Sequence, residues 1–264
     1  QPLLIECSKG KIGLAHNGNI INAGKLRNEL SVEGSIFQTT IDSEVILHLI
    51  AKSKEKDIES AIAAVLPHIV GAYSIVFILE DKLIAARDPW GVRPLCIGEL
   101  EDATVVASET CAFDLIGAEY KREVTPGEIV TINKHGVKSR SFSALNTLCK
   151  CVFEHIYFSR PDSIVFGESV YNIRRKLGSQ LAEEQPANAD MVIPIPDSGN
   201  CAALGFSERS GIPYAYGLIR NHYVGRTFIQ ATTLAREIGV KIKLSPVKEL
   251  IAGKRIVVVD DSIV

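Results

Sequence analysis

Two adjacent carboxylates near the end of the chain have the spacing of a ligand-binding pair. Asp260 and Asp261 follow the apolar run "RIVVV", which indicates a buried strand. Neighbouring carboxylates repel each other unless a cation or hydroxyl donors lie beside them. Carboxylate oxygens are suitable ligands for Mg²⁺, and the pair can accept two hydrogen bonds from a vicinal diol. A solvated turn after the strand is the alternative, and the pair alone does not decide between the two.

A second polar segment follows another apolar run. "ADMVIPIP" indicates a buried strand, and Asp197 and Ser198 come directly after it in "PIPDSGN". Ligands of an open parallel sheet bind beyond the carboxyl ends of its strands. We therefore expect these two residues to converge with Asp260 and Asp261 at one edge of a sheet.

A basic segment lies between these two strands. The stretch "GLIRNHYVGRTFIQ", residues 217–230, contains Arg220, Tyr223 and Arg226 around Gly225. Basic residues around a glycine suit a loop that closes over a polyanion. An ordinary surface loop is the alternative interpretation of this stretch.

The first half of the chain holds a different candidate, the Asn17–Gly18 pair in "AHNGNI". Asn-Gly tolerates positive φ, so we expect a sharp turn that aims a side-chain amide and a backbone N–H at one oxygen. Such a pair of donors would form an oxyanion hole, and a plain hairpin turn is the alternative. Asp42 and Ser43 precede a predicted helix that either residue could cap.

The elements that must position these residues fall into two patterns. In the first, short strands and turns surround two helices, "DSEVILHLIAKS" and "DIESAIAAVLPHI", which predicts a layered α+β domain with antiparallel sheet. The composition changes at residues 141–150, the candidate linker. Beyond it, helices alternate with apolar strands, which predicts an α/β domain with a parallel sheet. We place the two domains at residues 1–143 and 151–264.

The totals exclude several classes of protein. The 264 residues are 46% hydrophobic with a formal net charge of -2, so a packed core is expected and a nucleic-acid partner is not. No apolar run approaches the roughly 18 residues that span a bilayer, so no membrane association is expected. The six cysteines are dispersed, which favours buried thiols in a reducing compartment. The histidines, His16 among them, show no metal spacing and are interpreted as structural or exposed.

Four stretches together resemble one enzyme family: "CVFEHIYFSRPDS", "IPIPDSG", "HYVGRTFI" and "VVVDDSIV". The last is similar to the signature of type I phosphoribosyltransferases. With "AHNGNI" and "TTIDSE", the set is similar to the glutamine phosphoribosylpyrophosphate amidotransferases over essentially the whole chain. The resemblance implies an α+β N-terminal-nucleophile (class II) glutaminase domain, with two antiparallel sheets between helices. An α/β type I phosphoribosyltransferase domain would follow it, and the chain would be a fragment that lacks both ends.

The resemblance also implies a reaction, the first step of de novo purine synthesis. Glutamine is hydrolysed in the first domain, and the ammonia passes internally to displace pyrophosphate from phosphoribosyl pyrophosphate. The products are 5-phosphoribosylamine, glutamate and pyrophosphate. Mg²⁺ is the implied cofactor, and purine nucleotides are the expected inhibitors. The full-length protein would be a homo-oligomer in the cytoplasm, or in the plastid of a plant.

Individual residues receive roles from the same resemblance. Asn17 and Gly18 would form the oxyanion hole, and Asp42 would bind the α-amino group of glutamine. The residues that would bind phosphoribosyl pyrophosphate are Arg220, Tyr223, Arg226, Asp197, Ser198, Asp260 and Asp261. Three of these would hold Mg²⁺: Ser198, Asp260 and Asp261. Cys151 matches a ligand of the [4Fe-4S] cluster found in one branch of the family, and a buried thiol is an equal alternative.

The sequence departs from the family pattern at several positions. The nucleophilic N-terminal cysteine is absent, because Gln1 is not a cysteine and Cys7 is internal; the arginine that clamps the glutamine carboxylate is absent too. Gly199 occupies the place of a frequent serine metal ligand, so Ser198 would substitute for it. His222 stands where arginine is frequent. We therefore expect the intact protein to be an enzyme and this chain by itself to be inactive.

Two other functions remain open. Another class II glutamine amidotransferase, such as glucosamine-6-phosphate synthase, would share "HNG" but lack "VVVDDS". A non-catalytic, nucleotide-binding regulator built on the phosphoribosyltransferase fold would have no use for "AHNGNI". The residues just beyond each end would discriminate among the three: a processed cysteine upstream and an "RGTT"-like sequence downstream.

Overall fold

A computed structural model describes residues 2–144, 147–221 and 243–263. The chain forms two compact units. The first comprises Gln1–Val152 with Ile164–Phe166, and the second comprises Phe153–Ser163 with Gly167–Val264. The described part of the candidate linker belongs to the first unit. No helix in the described ranges is both long and apolar enough to cross a membrane.

Two antiparallel sheets form the framework of the first unit. One has six strands in the order β1-β2-β3-β4-β8-β9, and the other has three in the order β6-β5-β7. The α+β organisation predicted for this half is confirmed. The strands are β1 (Leu3–Cys7), β2 (Gly10–Ile20), β3 (Gly71–Ile78), β4 (Lys82–Arg87), β5 (Cys96–Leu100), β6 (Ala103–Ala107), β7 (Glu119–Glu123), β8 (Glu128–Asn133), β9 (Gly136–Ser141) and the short β10 (Ile164–Val165).

Among the described residues of the first unit, four helices accompany these strands. They are α1 (Ala23–Val32), α2 (Glu44–Lys52), α3 (Ile58–Val65) and α4 (Cys111–Ile116), and a 3₁₀ turn over Leu66–His68 follows α3. Both predicted helical segments contain a helix, α2 in the first and α3 in the second. The carboxylate of Asp57 caps α3 by accepting the N–H of Ser60 at 2.8 Å. Helix α4 contacts β6 and β7 of the three-stranded sheet.

Alternation along the strands buries both faces of β3 and β4. Side chains on one face, such as Ile75 and Phe77, pack with helices α1 to α3 in the main core. Their neighbours in sequence, such as Val76 and Ala85, join a second core with residues of the three-stranded sheet, including Ile97. Successive side chains of a strand point to opposite faces, which accounts for this division. The neighbouring β2 is therefore paired to a strand that is packed on both sides.

The predicted turn at Asn17–Gly18 is wrong. Both residues lie inside β2, where Asn17 pairs with Ser74 and Gly18 with Tyr73 of β3. The strand continues to Ile20, and the chain returns to β3 only after α1, α2 and α3. A two-residue Asn-Gly hairpin needs its two strands to be adjacent in sequence. Pairing with a distant strand has overridden the local turn preference.

Within residues 153–163, 167–221 and 243–263, the second unit contains a parallel pair of strands and two long helices. Its strands are β11 (Glu168–Ser169), β12 (Met191–Pro194), β13 (Leu218–Arg220), β14 (Leu244–Pro246) and β15 (Ile256–Val259). Its helices are α5 (Val170–Glu184), α6 (Asn200–Ser210) and α7 (Lys248–Ile251), with a π-helical turn over Glu154–Phe158. Strands β12 and β15 pair in parallel, whereas β13 and β14 pair antiparallel.

The core of the second unit joins its helices to the parallel strands. Ala182 of α5, Ala203 and Phe206 of α6, Val192 of β12 and Val259 of β15 form one buried cluster. The parallel register places Pro194 opposite Val259, so both strands end at the same level. The polar residues that follow each strand consequently begin side by side.

Candidate functional site

In the first unit, Asp42 lies at the end of the strand that carries Asn17 and Gly18. Its Oδ2 accepts the N–H of Ile20 at 2.9 Å, and its Oδ1 accepts the N–H of Ser43 at 2.8 Å. The side chain of Asp42 remains 28% exposed. Neither Asp42 nor Ser43 forms the side-chain cap expected for α2. Ser43 immediately precedes the helix, but its hydroxyl makes no capping hydrogen bond. The carboxylate of Asp42 accepts the N–H of Ser43, which lies before the helix. Asp42 instead ties the start of α2 to β2 and keeps a partly open carboxylate there.

Gly18 has a backbone that requires glycine. Its φ is +149°, and a Cβ at this position would lie 2.0 Å from the carbonyl oxygen of Ala72 and 2.9 Å from Nε2 of His16. No side chain fits at either distance without a backbone shift. The neighbouring Asn17 is exposed, and its Nδ2 donates to Oγ of Ser108 at 3.5 Å. The side-chain amide of Asn17 is therefore at the surface, as a substrate donor must be.

His16 is a part of this site that the sequence analysis missed. Its side chain is 2% exposed, and its Nδ1 lies 3.6 Å from Oδ1 of Asp42. Burial lowers the pKa of His16, and the nearby charge of Arg93 acts in the same direction, although Asp42 opposes both. The sequence signal that could have identified His16 is its position next to Asn17 in "HNG". The imidazole is thus a buried group packed beside the carboxylate of Asp42.

The loop before Asp42 is held by Glu44, whose side chain is 8% exposed. Its carboxylate accepts the N–H of Gln38 at 2.8 Å, the N–H of Thr39 at 3.0 Å and the hydroxyl of Thr39 at 2.7 Å. Burial opposes ionisation, but these donors outweigh it, so the pKa of Glu44 lies below its usual value. Arg27 adds hydrogen bonds to the carbonyl oxygens of Thr39 and Ile41, both at 2.9 Å. The loop that leads to Asp42 is fixed by charged groups on two helices.

In the second unit, the two strand exits share a cavity of about 140 Å³. The N–H of Ile195 donates to the carbonyl oxygen of Val259 at 2.8 Å, which extends the strand pairing to the edge of this space. We call it the strand-end cavity, and its lining residues are Ile156, Arg174, Leu177, Gly178, Leu181, Ser198, Ala202, Val259, Asp260 and Asp261. The structure therefore brings together Ser198, Asp260 and Asp261.

The negative charge of Asp260 is disfavoured in this position, so its pKa is raised. Burial raises the pKa of Asp260, and the charge of Asp261 adds to the effect, while the N–H of Asp261 opposes it by donating at 2.8 Å. The hydroxyl of Ser262 donates to Oδ1 of Asp261 at 2.5 Å. A cation or hydroxyl donors would relieve this repulsion. Two carboxylates and the Ser198 hydroxyl form an all-oxygen set that suits Mg²⁺, although no group of three or more His, Cys, Asp or Glu side chains among the described residues is arranged as a metal site.

A second, more basic cavity of about 320 Å³ adjoins Ser198. We call it the basic cavity, and its lining residues are Tyr157, Phe158, Ser159, Arg160, Pro161, Arg174, Pro196, Asp197, Ser198, Arg220 and Lys243. Arg220 forms an ion pair with Asp197 across it. Four cationic side chains against one carboxylate favour an anionic ligand.

Arg174 is a second residue that the sequence analysis missed. It is 4% exposed on α5 and lines both cavities. Its Nε donates to the carbonyl oxygen of His155 at 2.6 Å and its Nη2 to that of Ser159 at 2.8 Å. These bonds fasten the π-helical turn to α5, and with it one wall of the basic cavity. The neighbouring Arg175 is only partly buried, and "RR" in the sequence did not reveal which arginine is fully buried.

Gly199 is accounted for by packing. A Cβ at this residue would lie 2.4 Å from the carbonyl oxygen of Val259 and 2.9 Å from that of Ile195. A serine at this position would collide with the backbone of β15, so the hydroxyl beside the strand exits comes from Ser198.

Several predicted site residues remain unplaced or isolated. Tyr223 and Arg226, together with His222 and Gly225, lie outside the described residues. Cys151 belongs to the first unit, where it is half-buried as a free thiol and its N–H donates to the carbonyl oxygen of Val92 at 3.3 Å.

Comparisons with known proteins match the first part of the chain to a family profile and the whole chain to individual proteins. A family profile described as a glutamine amidotransferase domain matches residues 1–114. The amidophosphoribosyltransferase 1, chloroplastic, of Arabidopsis thaliana is 54% identical over 265 residues, which cover 100% of this chain and 47% of that protein. The amidophosphoribosyltransferase of Bacillus subtilis (strain 168) is 51% identical over 265 residues, which cover 100% of this chain and 56% of that protein.

A solved structure of a similarly named enzyme also matches the whole chain. The glutamine phosphoribosylpyrophosphate amidotransferase from B. subtilis, complexed with ADP and GMP, matches with a TM-score of 0.92 and 50% identity. The match covers 100% of this chain and 58% of that chain. The chain thus spans about half the length of the curated relatives it matches.

Proposed function

We propose that this chain is part of an amidophosphoribosyltransferase, which makes 5-phosphoribosylamine from glutamine, water and phosphoribosyl pyrophosphate and releases glutamate and pyrophosphate. The first unit is its class II glutaminase domain, and the second is part of its type I phosphoribosyltransferase domain. One observation carries the proposal: a single chain holds both candidate sites while matching such enzymes over 100% of its length.

In the first unit, Asp42 binds the α-amino group of glutamine. The side-chain amide of Asn17 and the backbone N–H of Gly18 donate to the carbonyl oxygen as it becomes an oxyanion. The hydrogen bond between Asp42 and the end of β2 supports this assignment, because it keeps the carboxylate next to the strand that carries both donors. The class II reaction also needs a cysteine nucleophile, and we assign that role to no residue of this sequence.

In the second unit, Asp260 and Asp261 accept hydrogen bonds from the two ribose hydroxyls. Arg220 and Lys243 attract the diphosphate, which replaces Asp197 as the partner of Arg220. Ammonia forms a bond to the anomeric carbon as the bond from that carbon to pyrophosphate breaks. Mg²⁺ held by Asp260, Asp261 and Ser198 would balance the charge of the leaving pyrophosphate. The raised pKa of Asp260 supports a site built for positive charge or donors.

Cys151 is the one residue of this chain that we propose as a ligand of an iron–sulfur cluster. Such a cluster is held by several cysteine thiolates. Within the described ranges, Cys151 has no surrounding group of three or more candidate ligands. We assign no step to a cluster.

Purine nucleotides are the proposed inhibitors. The related B. subtilis enzyme is described as a complex with ADP and GMP. The basic cavity offers Arg160, Arg220 and Lys243 to the phosphate of a nucleotide. Inhibition by a nucleoside monophosphate should therefore weaken when Lys243 is replaced by methionine.

The proposal is tested on the full-length protein that carries this chain. Pyrophosphate and glutamate are measured with phosphoribosyl pyrophosphate and Mg²⁺, first with glutamine and then with ammonium chloride as the nitrogen source. Equal amounts of glutamate and pyrophosphate are expected with glutamine, and pyrophosphate alone with ammonia. Release of glutamate from glutamine, with no pyrophosphate from either nitrogen source, would show a different class II amidotransferase. If neither glutamate nor pyrophosphate is released, the non-catalytic regulator is the better interpretation.

A further inference from the structure

His16 lies between the two halves of the candidate glutamine site. Its Nδ1 is 3.6 Å from Oδ1 of Asp42, the proposed ligand of the α-amino group. Its Nε2 is 2.9 Å from the point that a Cβ on Gly18 would occupy, so the other edge of the ring packs against the backbone of the proposed oxyanion donor. One imidazole therefore touches both parts of the site.

The burial of His16 separates positioning from catalysis. Its side chain is 2% exposed, whereas that of Asp42 is 28% exposed. A substrate that reaches Asp42 does not reach the imidazole. Any effect of His16 on glutamine must pass through Asp42 or through the backbone of Gly18.

Asp42 has two backbone donors, and His16 supplies a third contact from another direction. The N–H groups of Ile20 and Ser43 fix the two oxygens, one to the strand and one to the start of α2. One donor belongs to β2 and the other precedes α2. The position of the carboxylate therefore depends on how firmly β2 and α2 are fixed relative to each other. The buried ring of His16 packs beside the same carboxylate, with Nδ1 3.6 Å from Oδ1, and so limits how far the carboxylate can move toward the interior.

We propose that His16 is a positioning residue of the glutaminase site. Its imidazole sets the distance between the carboxylate of Asp42 and the backbone of Gly18, and this distance determines how strongly the site prefers substrates with an α-amino group. The inference rests on the proposed glutaminase function and deepens it.

The test compares two substrates in the full-length enzyme: glutamine, and glutaramic acid, which is glutamine without its α-amino group. The preference is the ratio of their kcat/KM values. Asp42→Asn should reduce it by removing the amino-group ligand. His16→Leu should reduce it about tenfold, mainly through a higher KM for glutamine. His16→Asn should retain more of it, because the asparagine amide nitrogen takes a place near that of Nδ1. His68→Leu, at an exposed histidine on the 3₁₀ turn, is the matched control and should change nothing.

The double variant supplies the decisive comparison. If His16 acts through Asp42, then His16→Leu should cost little in a background that already carries Asp42→Asn, because contacting residues are not additive. Fully additive losses, or an equal loss with both substrates, would overturn the inference. If His16→Leu also loses ammonia-dependent activity, the protein has misfolded. The ratio of kcat/KM for glutamine to that for glutaramic acid is then measured in His16→Asn instead, and the same outcomes apply. A wild-type enzyme without glutaminase activity would overturn the proposed function instead.

Discussion

The local backbone packing restricts which residues can occupy positions in the first candidate site. Gly18 lies in a strand at a φ of +149° with the carbonyl group of Ala72 packed against it, so the proposed oxyanion donor is a backbone group whose position is set by strand pairing. The side-chain amide of Asn17 is the other proposed donor, and its hydrogen bond to Ser108 is long at 3.5 Å. A loosely held amide can turn toward a substrate without breaking a strong bond.

Replacing Asn17 by alanine should remove one of the two oxyanion donors. Loss of a single donor of this kind commonly reduces turnover by about 10²-fold or more, so glutamine-dependent turnover of the full-length enzyme should fall by that amount. Ammonia-dependent synthesis should survive, because it bypasses the first unit. Ser108→Ala removes the resting partner of the same amide and should leave glutamine turnover within a few-fold of normal. Equal loss with glutamine and ammonia would argue against the assignment.

Replacing Gly199 by serine tests the packing explanation for that residue. The new Cβ would lie 2.4 Å from the carbonyl oxygen of Val259, and overpacking of this kind costs about 1–3 kcal/mol of unfolding free energy. A lower melting temperature is expected by differential scanning fluorimetry. Ser198→Ala, one residue earlier, should melt normally but require more Mg²⁺ for half-maximal transferase activity. An unchanged melting temperature for Gly199→Ser would show that the strand exits are looser than the structure indicates.

At the scale of elements, the loop from Gln38 to Asp42 owes its shape to helices on either side of it in sequence. Glu44 binds the loop from the first turn of α2, and Arg27 binds it from α1. Asp42, the proposed ligand of the glutamine amino group, is therefore positioned in part by charged side chains on both of these helices. Damage to this support should appear first as weaker glutamine binding.

Replacing Glu44 by glutamine should weaken the loop in a pH-dependent way. The folded protein lowers the pKa of Glu44 below its ordinary value of 4.5, so the stabilisation is fully present above that value and is lost as the pH falls through the lower folded value. At pH 7 the variant should lose about 1–3 kcal/mol, as for other hydrogen bonds to buried charge. Denaturant unfolding at pH 7 and below pH 4.5 measures the difference, which should shrink in acid. Glu33→Gln removes an exposed partner of Lys52 and should change stability little at any pH.

Sequence patterns predicted the elements better than the contacts between them. The helices that contain Glu44 and Ala61 were predicted from their sequence patterns, and the strand that precedes Asp260 was predicted from its continuous apolar run. The conformation of Asn17–Gly18 was not, because it depends on pairing with β3 more than fifty residues away. The roles of His16 and Arg174 were missed for the same reason: each makes its defining contacts with residues distant in sequence, and the residue type alone indicates neither burial nor partner.

At the scale of the whole molecule, the two candidate sites occur in two units of one chain. Each unit has its own core, and the described residues of each site belong to one unit only. The proposed chemistry uses ammonia as the link between the two sites. Separate loss of the two activities is therefore the strongest functional test.

Replacing both Asp260 and Asp261 by asparagine should abolish synthesis of phosphoribosylamine with glutamine and with ammonia alike. The double variant keeps the shape of the strand exit but loses the negative charge proposed to bind Mg²⁺, and an amide NH₂ replaces one acceptor oxygen of each carboxylate proposed to bind the ribose hydroxyls. Some basal glutamine hydrolysis should remain, and calorimetry should show weak binding of phosphoribosyl pyrophosphate. Asp190→Asn is the control, because Asp190 is exposed, pairs with Arg255 and lines neither cavity. Normal substrate affinity in the double variant would show that the acidic pair is only a solvated turn.

The position of Asn17–Gly18 inside β2 has a consequence for chemical ageing. Asn-Gly is the dipeptide most prone to deamidation, which begins when the glycine nitrogen attacks the side-chain carbonyl carbon of the asparagine. Ring closure needs a backbone conformation that a paired strand does not adopt, and β2 is paired to β3 at both residues. Deamidation of Asn17 should therefore be slow in the native protein and accelerate sharply once β2 separates from β3. Peptide mapping of stored samples would make the conversion of Asn17 to aspartate or isoaspartate a cumulative record of how often the strand has opened.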